Sequence, residues 1–192
     1  MILGVVIFLI VFIALISSIW PKQEELFFEL GLLDKDKTAN SYFFNDSSII
    51  DPGTVNSWFI YVYNHMDTFE VISVRVKLLN STMNLPVDQE YQSSQVDSFV
   101  EFPLSLSINE TVLVPFSWSI IDIESQNDLI VIKRLMINNQ RVDVEVSGPV
   151  TSIFRVVFEL WVQDHTSGEY VFGWESTEGF SFASLYMGFE LG

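Results

Sequence analysis

Apolar and polar side chains alternate along much of this chain. Ile72, Val74, Val76 and Leu78 are separated by Ser73, Arg75 and Lys77, the period of two that a half-buried strand requires. Similar runs occupy residues 24 to 30 (EELFFEL), 56 to 63 (NSWFIYVY), 111 to 120, 129 to 137, 152 to 163, 169 to 174 and 179 to 191. Turn formers stand between them: Asp34-Lys35-Asp36, Asp51-Pro52-Gly53, Ser125 to Asp128, Gly148-Pro149, Thr166-Ser167-Gly168 and Thr177-Glu178-Gly179. After residue 21 no stretch of 12 or more residues carries a helical stripe. The pattern predicts an all-β, antiparallel β-sandwich over residues 22 to 192.

Ser57 to Asn80 reads as a hairpin that bends at Asn64-His65. If Trp58, Ile60 and Val62 share the inner face with Ile72 to Leu78, then Phe59, Tyr61 and Tyr63 point outward. Two readings stay open for these rings: a central strand covered by other parts of the chain, or a contact surface for a partner. The last run poses the same question. Phe180, Phe182 and Tyr186 fall on one side of it, and Ala183, Leu185, Met187 and Phe189 on the other.

The first 20 residues, MILGVVIFLIVFIALISSIW, break the alternation with an uncharged apolar run. As a helix it spans roughly 30 Å, the hydrocarbon thickness of a bilayer. Trp20 falls at interfacial depth and Pro21 ends the helix. A secretory signal peptide is the rival, but the basic leader is missing and the run exceeds the usual apolar length. The reading is a single-pass anchor at residues 1 to 21, set in the lipid bilayer through residues 1 to 20, of a cell-membrane protein. Lys22, Lys35 and Lys37 give the positive-inside rule little to act on. Three sequons, at Asn45, Asn80 and Asn109, are consistent with glycosylation of an extracytoplasmic domain.

Composition narrows the function classes. With 25 acidic residues against 9 Lys and Arg, the 192-residue chain carries a formal charge of -16, which repels phosphate backbones and speaks against nucleic-acid binding. It has no cysteine, so disulfides, thiolate nucleophiles and sulfur-ligated metals are excluded. The two histidines, His65 and His165, make a metal site only if carboxylates converge on them, and both read as turn residues. No Gly-x-Ser-x-Gly elbow or phosphate-cradling glycine loop occurs. Asp34-Lys35-Asp36, Asp122 with Glu124, and Asp128 are candidate surface calcium ligands without EF-hand spacing. No catalytic residue and no cofactor are expected.

The order of features from residue 24 to 162 resembles archaeal domain-of-unknown-function family 1616. The matching residues are Phe28-Glu29, Asp34 to Asn40, Gly53, Asn64-His65, Val71 to Leu79 and Leu160-Trp161-Val162. Met66 stands where that family usually has an acidic residue, the glutamate after Gly53 is missing, and residues 163 to 192 extend beyond the match. The resemblance implies a membrane-anchored, immunoglobulin-like domain outside an archaeal cell, with no assigned catalytic residues.

Three function classes follow. The first is a non-catalytic structural or accessory subunit of a larger membrane protein complex, with other membrane proteins as partners. The second is a cell-surface binding module or adhesin, and the third a metalloenzyme using His65 or His165. The Asn-, Ile- and Phe-rich, cysteine-free style also resembles proteins of ammonia-oxidising archaea. That likeness implies a sharper form of the first class, an accessory subunit of a membrane-bound copper monooxygenase.

Overall fold

The computed structural model describes residues 25 to 87, 92 to 176 and 179 to 192. The apolar run of residues 1 to 20 lies outside them. No helix among the described residues is long and apolar enough to cross a membrane. The chain forms strands β1 (Phe28–Leu33), β2 (Ile49–Ile50), β3 (Asn56–Asn64), β4 (Glu70–Leu79), β5 (Val100–Leu106), β6 (Thr111–Gln126) and β7 (Leu129–Ile137). These are followed by β8 (Gln140–Pro149), β9 (Phe154–Gln163), β10 (Tyr170–Phe172), β11 (Trp174–Ser176), β12 (Gly179–Ser181) and β13 (Ser184–Leu191).

Two sheets make the sandwich. Sheet I runs β1-β3-β6-β7-β8 and sheet II runs β2-β13-β9-β4-β5, with β10 continuing beside β9. All pairings within them are antiparallel except the short parallel contact of β13 with β2. Tight turns follow the residue chemistry. Asn127 and Asp128 join β6 to β7, and Asn138 and Asn139 join β7 to β8, all four with positive φ; Asn and Asp tolerate that region and so fit two-residue hairpin turns.

The inner faces interlock through aromatic rings. Trp58 on β3 lies 5.2 Å from Trp118 and 6.0 Å from Phe116 in its own sheet, and 6.1 Å from Phe158 across the sandwich. Phe189 of β13 reaches Trp118 at 5.2 Å. Tilted and edge-on pairs at these spacings add to simple burial.

Ser57 to Asn80 is not a hairpin. β3 pairs with β1 and β6, whereas β4 pairs with β5 and β9, so residues 65 to 69 carry the chain from one sheet to the other. Trp58, Ile60 and Val62 meet Ile72 to Leu78 across the core instead of side by side. Alternation is identical in the two arrangements, because both put the same residues inside. β4 also departs from a half-buried strand: Ser73 and Lys77 on its outer face are buried along with the apolar positions.

The C-terminal runs are split as well. Gly173, at φ 93°, ends β10; a Cβ there would come within 2.5 Å of the Phe180 ring and the Ser181 carbonyl. The chain leaves sheet II at that point, forms the β11–β12 pair, and rejoins as β13. Phe180 and Phe182 therefore do not share a strand with Tyr186. Three strands fall outside the alternating runs: the two-residue β2, β5 and β8. β5 contains Pro103, which suits an edge strand that need not donate outward. β8 alternates valines with Arg141, Asp143 and Glu145, and such charges protect an exposed sheet edge.

Candidate functional site

The outer face of sheet I carries the aromatic stripe. Inward positions of β3 are buried, and Phe59, Tyr61 and Tyr63 between them are half-exposed. Register places Leu33 and Pro115 beside Phe59, Gly31 and Leu113 beside Tyr61, and Glu29 and Thr111 beside Tyr63. The Tyr61 ring lies over the bare backbone of Gly31, where a Cβ would sit 3.3 Å from Cδ1. No strand among the described residues packs over the stripe, and the described side chains that approach it stand at its rim.

That rim is polar. Lys37 Nζ stands 5.2 Å from the centre of the Phe59 ring. Tyr61 donates its hydroxyl hydrogen to Glu29 (3.3 Å) and Tyr63 donates to Asn109 (3.1 Å). Burial, reinforced by the Glu29 carboxylate, pushes the Tyr61 phenol above its ordinary pKa, so it stays protonated and a donor at neutral pH. Further along sheet I the outer face turns ionic: Lys133 pairs with Glu145 at 2.9 Å and Arg134 with Asp143 at 2.6 Å.

Sheet II presents a different outer face. Lys77 on β4 and Glu159 on β9 are buried and form an ion pair at 2.8 Å. Residues 93 to 98 lie over them. Lys77 donates to the Ser94 carbonyl (2.7 Å), while the Ser94 amide and hydroxyl both donate to Glu159 (2.8 and 2.6 Å). Trp161 Nε1 donates to the other carboxylate oxygen at 3.2 Å. Beside this network Arg75 stacks on Trp161 with 3.9 Å between Cζ and ring centre, and meets Glu101 at 3.2 Å. A cavity of about 510 Å³ runs along the segment, lined by Arg75, Lys77, Gln95, Asp97, Glu101 and Trp161 among others. The alternation places Lys77 on the polar face of a half-buried strand. The signal for the pair was present only as a glutamate inside the otherwise apolar run FRVVFELWV.

The histidines do not form a centre. His65 packs on Phe27 at 4.5 Å and meets the Tyr63 hydroxyl at 3.2 Å; His165 is exposed and stands 3.3 Å from Glu70. Among the described residues no three His, Cys, Asp or Glu side chains are grouped so as to hold a metal ion. The residue that organises this end is Asn64, which is fully buried. Its amide donates to the carbonyls of Thr68, Leu106 and Ser107, and its oxygen accepts from Met66 N–H.

Asp34 is likewise a structural group. It accepts from the Thr38 hydroxyl (2.6 Å) and from the amides of Thr38, Ser41 and Asp36. The Thr38 hydroxyl first, then these amides, hold its carboxyl far below the usual carboxylate range. Both oxygens are thus occupied by internal donors.

The three sequon asparagines differ. Asn45 and Asn109 are exposed, both with positive φ. Asn80 is buried: its amide donates to the Ser147 carbonyl at 2.5 Å, and its oxygen caps Thr82 and Met83. A glycan on that nitrogen is incompatible with this arrangement. The remaining candidate contact residues are scattered. Tyr186 is exposed near Arg155, Phe182 packs on Phe172 at 5.0 Å, and Phe180 lies over Gly173.

A scan against protein-family models matches no family, and a search of the curated proteins finds no match.

Proposed function

We propose that this chain is a non-catalytic, single-pass membrane protein whose extracytoplasmic sandwich serves as a structural or accessory subunit of a larger membrane protein complex. The observation that carries the proposal is the stripe of Phe59, Tyr61 and Tyr63 on a sheet face that no described strand covers. Large aromatic rings with polar tips, set on a rigid sheet, are the anchors that protein interfaces favour. Membership of an immunoglobulin-like class, as in archaeal family 1616, is part of the same reading. It is supported by consecutive strands β3 and β4 in opposite sheets, β6 beside β3, and β9 beside β4.

The anchor, residues 1 to 20, would hold the chain laterally in the membrane and leave the sandwich outside, with Asn45 and Asn109 as the sequons able to carry glycans. The copper monooxygenase version stays within this proposal as one identity of the partner. The test is extraction of the full chain in mild detergent, followed by native electrophoresis and photocrosslinking from position 61. Migration well above 22 kDa, with crosslinks from position 61 and none from Lys133 on the ionic part of the same sheet, is the expected result. Migration as a lone chain would sink the proposal.

A further inference from the structure

We propose that one end of the sandwich rests against the bilayer surface, with Phe69 and Ile108 set into the headgroup layer. This inference rests on the reading of residues 1 to 20 as membrane-spanning. The described chain begins at this end: Phe27 accepts a hydrogen bond from His65 N–H at 3.0 Å, and Phe28 lies opposite Asn64. Asn109 N–H in turn donates to the Asn64 carbonyl, and Asn64 N–H to the Glu110 carbonyl. Residues 21 to 27 therefore tether these loops to the membrane over at most roughly 25 Å of extended chain.

Phe69 and Ile108 are 54 % and 53 % exposed. They sit on neighbouring loops, since Glu70 pairs with Leu106 where β4 and β5 meet. Asn64 bonds the backbone of both loops, so the two apolar tips are presented in a fixed arrangement and little further ordering is needed to insert them. The tether also keeps their local concentration at the membrane high, so a weak contact suffices.

Exposed apolar side chains such as Phe44, Val55 and Val150 also occur at the far end. Hydrophobicity alone does not choose between the ends; the point where the chain enters does. Asp67 and Glu110 stand near the tips along the chain, and the β9–β10 loop with Asp164, His165 and Glu169 reaches the same end through the His165–Glu70 contact at 3.3 Å, so insertion is shallow and weaker on anionic lipid. A glycan on Asn109, next to Ile108, would hold this end off the membrane, so Asn45 is the sequon expected to be occupied.

The chain has no cysteine, so single nitroxide labels can be placed through Phe69→Cys, Ile108→Cys, Val55→Cys, Val150→Cys and Phe8→Cys. Each full chain is reconstituted in zwitterionic lipid nanodiscs, and collision with oxygen is compared with collision with a water-soluble nickel chelate. Labels at 69 and 108 are expected to show an oxygen-to-nickel ratio several-fold above those at 55 and 150, and a lower ratio when anionic lipid is added. If position 8 is in lipid while 69 or 108 behaves like 55 and 150, the inference is overturned and the anchor reading stands. If position 8 is in water, both fall.

Discussion

The outer faces of the two sheets invert the usual expectation. Sheet I turns half-exposed aromatic rings outward from β3, and no described strand covers them. Sheet II turns a lysine and a glutamate outward, and residues 93 to 98 bury both. A face is closed over ions only where every charge finds partners, and Lys77 and Glu159 meet that condition through each other, Ser94 and Trp161. Over the aromatic stripe the described chain supplies only rim contacts, to the polar tips and to the Phe59 ring.

The closed face is the one whose disruption costs most. Glu159→Ala leaves the Lys77 ammonium buried with a single carbonyl acceptor and removes the acceptor of Ser94 and Trp161. The expected loss is about 3–5 kcal/mol, the range for breaking a buried pair from one side. Urea unfolding followed by tryptophan fluorescence checks it. A Lys77→Met, Glu159→Leu double variant is expected to recover part of this, with about 1–3 kcal/mol remaining because the Ser94 amide stays unsatisfied. Equal losses in the single and double variants would show that the ions are not coupled.

Asn64→Ala comes next. It frees the carbonyls of Thr68, Leu106 and Ser107 beneath the loops at the end where the chain enters. We expect a loss of about 1–3 kcal/mol, together with faster amide exchange at Met66, whose N–H bonds the lost side-chain oxygen. His65→Ala, on the same loop, is expected to cost less than Asn64→Ala. The reverse order would make His65, not Asn64, the organising residue.

Asp34 holds the loop that brings Lys37 to the rim of the open face. Its folded pKa lies below the unfolded carboxylate value of about 3.9. Its contribution is therefore full above that value and is lost as pH falls through the lower folded one. Thermal melts of the native chain should drop on acidification below about pH 5. Asp34→Asn should melt lower at neutral pH and show a shallower acid limb. Glu145 and Asp164, also held low by hydrogen-bond donors, leave part of that limb in place.

These contrasts explain what could be read from the residues. Class and most strands follow from the period of two, which for residues 129 to 137 coincides with β7 end to end. The inward set on β3 and the outward set of Phe59, Tyr61 and Tyr63 follow too, because pleating fixes them without reference to neighbours. Pairing does not follow. Residues 65 to 69 carry no two-residue turn signal, and a crossover between sheets presents the same alternation as a hairpin. Lys77 and Glu159 are separated by 82 positions (159 − 77), so nothing local announces that they meet. Asn64 was visible only as a companion to His65, although a buried amide that bonds three carbonyls matters more to the fold than a half-exposed ring.

The smallest effect on folding belongs to the open face, and there the comparison is sharpest. Tyr61→Thr keeps a strand-forming residue and removes a half-buried ring from the outer face. It should change unfolding free energy by less than about 1 kcal/mol, the span of strand propensity itself. A ring closed inside a core would instead cost about 3–5 kcal/mol on truncation. The same variant, combined with Phe59→Thr, should reduce the native-gel mass of the detergent-extracted chain. Small stability loss with lost association identifies the stripe as an interface. A loss of core magnitude would mean that the face is covered, and sheet I would then resemble sheet II after all.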